Sequence, residues 1–75
     1  MVTRRLVADT AIDFARASLA VPEIDEIDVN ATGIPSPWDG RETWIARIRS
    51  GARTWLIKVK VGDDGAPHPS LLKIE

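Results

Sequence analysis

Few residues in this chain have the chemistry for catalysis, and their spacing argues against most of it. The one histidine, His68, lies between Pro67 and Pro69, just after the turn-forming run Gly62-Asp63-Asp64-Gly65. An imidazole is the natural general base near neutral pH, but it needs a nucleophile within reach. The chain has no cysteine. Ser18 falls on the apolar side of a helical pattern, while Ser36, Ser50 and Ser70 fall at turns or element ends. No spacing links His68 to both a serine and a carboxylate as a relay, so His68 reads as an exposed turn residue. Asp25, Glu26 and Asp28 crowd together, but carboxylates at strand spacing read as a solvated edge. Asp63 and Asp64 would need more oxygen ligands at defined spacing to hold calcium. A transition-metal site would need several clustered histidines, cysteines or carboxylates. No glycine-rich loop leads into a helix to cradle a phosphate. The expectation is a non-enzymatic chain with no catalytic, cofactor-binding or metal-binding residues.

What remains is binding chemistry, concentrated between Glu42 and Val61. Two strands are expected there, joined at Gly51-Ala52, because a two-residue type II′ turn takes glycine at φ > 0 without steric cost. The turn sets the register: Ser50 faces Arg53, Ile48 faces Trp55, Ala46 faces Ile57 and Trp44 faces Val59. Side chains alternate along a strand, so these pairs share one side, and all but the turn pair are apolar. The other side carries Thr43, Ile45, Arg47 and Arg49 on the first strand and Thr54, Leu56, Lys58 and Lys60 on the second. This outer face is basic with an apolar centre at Ile45 and Leu56, and Leu71 is expected to join it. The residues assigned to partner binding are Ile45, Arg47, Arg49, Leu56, Lys58 and Lys60, with Trp38 as a loop residue that either caps the core or contacts a partner.

The elements that position this face follow in order. Thr3 to about Val21 reads as an amphipathic helix, with Val7, Ala8, Ala11, Ile12, Phe14, Ala15, Ser18 and Leu19 on one face. Thr3 is its expected N-cap, Arg5–Asp9 and Asp13–Arg16 are spaced to pair, and Pro22 ends it. Glu23 to Thr32 reads as a strand with Ile27, Val29 and Ala31 inward and Glu26, Asp28 and Asn30 outward. Pairing with the next strand would set Glu26 and Asp28 beside Arg47 or Arg49. Gly33 to Gly40 and Gly62 to Pro69 read as loops. Ser70 to Glu75 reads as a final strand with Leu72 and Ile74 inward and Leu71, Lys73 and Glu75 outward, or with these two faces reversed.

The expected fold is α+β: one N-terminal amphipathic helix packed on a four-stranded antiparallel meander sheet, αββββ, forming a single domain over residues 1–75. That layout is similar to one shared by several unrelated small families, the cystatin-like domains among them, and layout alone carries no function. A hydrophobic content of 44% supports a packed core rather than disorder. A net charge of −1 gives the whole chain no pull toward nucleic acid or anionic membrane. No apolar run is long enough for a transmembrane helix or a secretory segment, so a cytoplasmic protein is expected.

These features point to a protein–protein interaction module, an accessory subunit, adaptor or small inhibitor whose partner presents an acidic surface. The alternative is a nucleic-acid-associated protein that grips the phosphate backbone with the same basic face. That reading lacks its usual support, because no Tyr or Phe lies on the face to stack bases. A core this small and two open sheet edges also suggest weak homodimerisation.

Overall fold

A computed structural model describes residues 3–31, 43–62 and 64–75 of the chain. Helix α1 spans Arg4–Ser18, and strands β1 (Glu26–Ala31), β2 (Thr43–Ser50), β3 (Arg53–Val61) and β4 (Pro67–Ile74) follow. They form one antiparallel sheet in the order β1-β2-β3-β4, the expected αββββ meander. No helix among the described residues is long and apolar enough to cross a membrane.

The hairpin takes the register that its apolar pattern demands, with Ser50 opposite Arg53, Ile48 opposite Trp55, Ala46 opposite Ile57 and Trp44 opposite Val59. Gly51 has φ 60 and Ala52 is not left-handed, which is the φ pairing of a type II′ turn. The start of β1 reinforces the turn. The Asp25 carboxylate accepts the Gly51 N–H at 2.8 Å, and the Asp25 N–H donates to the Arg49 carbonyl at 2.9 Å. Asp25, read from sequence as a solvated acid, is therefore a clamp between the first strand and the turn.

Sheet residues facing the helix form cross-strand rows. Ile27, Ile48, Trp55 and Ile74 make one row, Val29, Ala46, Ile57 and Leu71 the next, and Ala31, Trp44, Val59 and Pro69 the third. The helix lays Val7, Ala11 and Ala15 on them, spaced at i and i+4 and fully buried. Two of the three are alanines, so the helix axis can approach the sheet closely. Phe14, Leu19, Ile24 and Trp44 pack around this core half-buried. Ser18, expected on the packed face, is exposed, and neither Arg5–Asp9 nor Asp13–Arg16 closes to an ion pair.

The helix begins as its sequence indicates, with the Thr3 hydroxyl accepting the Leu6 N–H at 3.2 Å. It ends earlier than Pro22 requires. Leu19 caps it and Ala20 turns left-handed at φ 53, so that the N–H groups of Leu19 and Val21 both reach the Ala15 carbonyl, at 3.2 and 3.1 Å. This reversal buries Val21 at 3% exposure. A left-handed alanine is strained by roughly 1–2 kcal/mol, and glycine is the usual occupant of this position. Ala20→Gly should therefore stabilise the domain by about 0.5–1 kcal/mol after allowing for glycine's greater unfolded-state entropy. Its thermal midpoint should rise by roughly 2–8 °C. A melting curve shifted downward would contradict this account of the helix end.

The last strand departs most from expectation. It starts at Pro67 rather than Ser70, so His68 lies within β4 opposite Lys60 and not in a turn. Two prolines in a strand normally argue against it, but here they cost no ladder bond. Gly62 N–H donates to the Ala66 carbonyl at 2.8 Å, which turns Ala66, His68 and Ser70 toward β3 and leaves Pro67 and Pro69 facing the open edge. The pairing then slips by one residue: Leu56 faces Lys73 while Ile57 faces Leu71, and Leu72 is the extra residue of a β-bulge. Leu71 is thus on the helix side, opposite Ile57, and does not join the outer face. Leu72 is the bulged residue, 54% exposed, rather than an inward one. Ile74 is on the inner side as expected, and Lys73 is on the outer side. The first strand also starts later than read, at Glu26 rather than Glu23, and the expected end at Thr32 lies outside the described residues.

Candidate functional site

The outer face of the sheet is built by the residues that alternate with the core rows. One row is Glu26, Arg49 and Thr54; the next is Asp28, Arg47, Leu56 and Lys73; the third is Asn30, Ile45, Lys58 and Ser70; the last is Thr43, Lys60 and His68. All six sheet residues expected at the site therefore lie on one face. Arg47, Arg49, Lys58 and Lys60 are exposed, while Ile45 and Leu56 are half-buried among them. Trp38 lies outside the described residues.

The two ends of this face differ electrostatically. Toward the hairpin turn, Arg49 Nε meets Glu26 Oε2 at 3.1 Å, and Asp28 stands opposite Arg47. Both members of the Glu26–Arg49 pair are more than half exposed (67% and 53%), so the pair adds at most about 1 kcal/mol and is screened by salt. A cleft of ≈ 230 Å³ lies here, lined by Glu26, Asp28, Arg47, Arg49 and Thr54. Away from β1, the exposed Lys58, Lys60 and Lys73 gather on β3 and β4 around Leu56, with His68 and Ser70 beside them. Positive charge is therefore concentrated on the β3–β4 half. Lys73 and His68 belong to that half, and sequence reading did not assign them to the site. The bulge and the proline-tolerant edge, which bring β4 into place, leave little trace in periodicity.

His68 makes one further contact. Its Nε2 stands 3.6 Å from Asp64 Oδ1, and both side chains are largely exposed. The ring lies over Gly62, where a Cβ would meet Nε2 at 2.5 Å, so only glycine leaves room for this placement. The same Asp64 oxygen accepts the Ala66 N–H at 3.0 Å across the β3–β4 turn. That backbone hydrogen bond, with a smaller contribution from His68, holds the Asp64 carboxyl below the usual aspartate range. A carboxyl whose folded-state pKa is depressed stabilises the turn above its unfolded pKa, about 3.9, and loses that contribution as pH falls through the lower folded value. In an NMR titration the Ala66 amide shift should move with a midpoint below that of an unperturbed aspartate, and Asp64→Asn should abolish the movement.

Trp44 completes the inventory. Its Nε1 is buried with no hydrogen-bond partner among the described residues. It stands opposite Ala31 and Val59, on the core side of the sheet. Comparison of the chain with family models, with curated proteins and with solved structures returned no match.

Proposed function

We propose that this domain is a non-enzymatic binding module of the cytoplasm, and that its outer sheet face docks on an acidic surface of another protein. The observation that carries the reading is the grouping of exposed Arg47, Lys58, Lys60 and Lys73 around the half-buried Ile45 and Leu56 on one side of paired strands. Such a face supplies both parts of an interface: charge to steer the encounter and apolar area to desolvate at the centre. Trp44 and Trp55, the hairpin's two aromatic residues, both stand on the opposite side of the sheet. A phosphate backbone would find the charge here without an aromatic platform for its bases.

The test compares two anionic probes on the same protein. A polyglutamate peptide should bind in a salt-sensitive manner and retain measurable affinity at physiological ionic strength through the Ile45–Leu56 centre. A single-stranded oligonucleotide of equal charge should bind more weakly and lose its affinity with added salt. The reverse order of affinities would replace the protein partner with a nucleic acid.

A further inference from the structure

The two edges of the sheet are not equally protected. On β4 the residues facing outward are Pro67, Pro69, Leu71 and Ile74, with the bulge at Leu72 between the last two. Two of these positions have no N–H to offer, and the bulge breaks the repeat, so an added strand finds no continuous ladder there.

Among the described residues, the β1 edge has none of these devices. The Arg49 carbonyl accepts from Asp25, so Arg49 faces β1, and with it, by alternation, Arg47 and Ile45. Their partners Glu26, Asp28 and Asn30 face inward to the ladder. Ile27, Val29 and Ala31 therefore direct their N–H and C=O groups away from the sheet, in a strand without proline or bulge.

We infer that β1 is a self-pairing edge, and that a second copy of this chain adds to it antiparallel about a two-fold axis at Val29. Charge selects the register. With Val29 opposite its own symmetry mate, Ile27 meets Ala31 of the second copy on the inner side and Asp28 meets Asn30 on the outer side. A shift that centres the axis on Asp28 sets Asp28 against itself. A shift to Ile27 sets Glu26 against Asp28. Like charges directly opposite are unfavourable, which excludes the Asp28 and Ile27 registers. A shift to Asn30 avoids a carboxylate pair too but leaves only Val29 to Ala31 of β1 paired, so the Val29 register joins the most residues without one. The product is an eight-stranded sheet whose helices lie on one side, cover the half-buried Ile27 and present two basic faces on the other. This inference does not depend on the binding role of the basic face.

The experiment measures mass in solution by light scattering from tens to hundreds of micromolar, with circular dichroism to check the fold. The wild type should shift from monomer to dimer across this range. Ala31→Pro places on β1 the same block that β4 carries, at an exposed residue whose N–H is not used within the sheet, and it should remain a folded monomer. Asn30→Asp should weaken the dimer roughly three- to tenfold, because the two-fold repeats its carboxylate contact with Asp28. Asn30→Lys should strengthen the dimer by a comparable factor. Leu72→Ser, at the most exposed of the large apolar residues Leu6, Leu71, Leu72 and Ile74, should leave the dimer unchanged. The inference is overturned by a wild type that stays monomeric at the highest concentration. Asn30 variants without effect, or dissociation by Leu72→Ser in their place, would overturn it equally, the latter moving the contact to the β4 side.

Discussion

Trp55→Ala is expected to remove the cooperative thermal transition of this domain or to lower its midpoint by more than about 12 °C. Trp55 lies in the row Ile27, Ile48, Trp55 and Ile74, and only 9% of its surface is exposed. Among the described residues it is the only aromatic one in the buried core, whose other members are aliphatic. Truncating such a side chain costs roughly 3–5 kcal/mol, part of it from the cavity left behind. At about 0.05–0.15 kcal/mol per residue, a domain of this length has on the order of 4–11 kcal/mol in all, so the loss takes a large share of it. Trp55→Phe keeps most of the volume and should stay folded with a reduced midpoint. Far-UV circular dichroism melts of the three proteins decide the matter. A Trp55→Ala melt within a few degrees of wild type would mean that the helix-side rows are not the core.

The contrast between β3 and β4 shows which parts of this architecture are legible in a sequence. On β2 and β3 the apolar residues alternate without interruption, and a one-residue slip would bring Trp55 and Ile57 against Arg49 and Arg47, so turn and pattern agree on a single register. On β4 three features obscure the pattern. Pro67 and Pro69 read as loop residues until the direction of their missing N–H groups is known, and that direction follows from the pairing of β4 with β3. The bulge at Leu72 then breaks the period of two, which is why Leu71 and Leu72 exchange their expected roles. The two prolines hide His68 as well, which reads as a turn residue and lies in β4 opposite Lys60. The helix end belongs to this class too: Pro22 marks a limit, but the left-handed Ala20 that stops the helix sooner answers to the burial of Val21, a tertiary demand. The four cations first assigned to the outer face needed only alternation on a legible hairpin, whereas placing Lys73 beside them required the bulge, and the Asp25 clamp required the first strand's exact approach to the turn.

Reversing charge on the outer face should separate binding from folding. In Arg47→Glu with Lys58→Glu, both residues replaced are exposed and on the side away from the helix. Each surface change of this kind usually stays within about 0.5 kcal/mol, and the new carboxylate opposite Asp28 adds a repulsion of roughly 0.2–1 kcal/mol, so the melting midpoint should fall by no more than about 16 °C. Binding should respond far more strongly. The two substitutions change the charge of the face by four units next to Leu56 and Ile45, and an acidic surface then meets carboxylates where it met cations. Association with a polyglutamate probe at low salt should slow by at least about tenfold, and the remaining rate should no longer fall as salt is added. Leu56→Ser acts on the other half of the contact: it should leave the association rate near wild type and speed dissociation, because it removes apolar area that is desolvated only in the complex. Glu26→Gln offers a gain in the opposite direction, since it releases Arg49 from its 3.1 Å ion pair and should raise affinity for the same probe. The set is decisive when read beside Trp38→Ala. If the double reversal binds as wild type does while Trp38→Ala alone abolishes binding, the contact belongs to the segment between β1 and β2 and the outer face is a solvated surface.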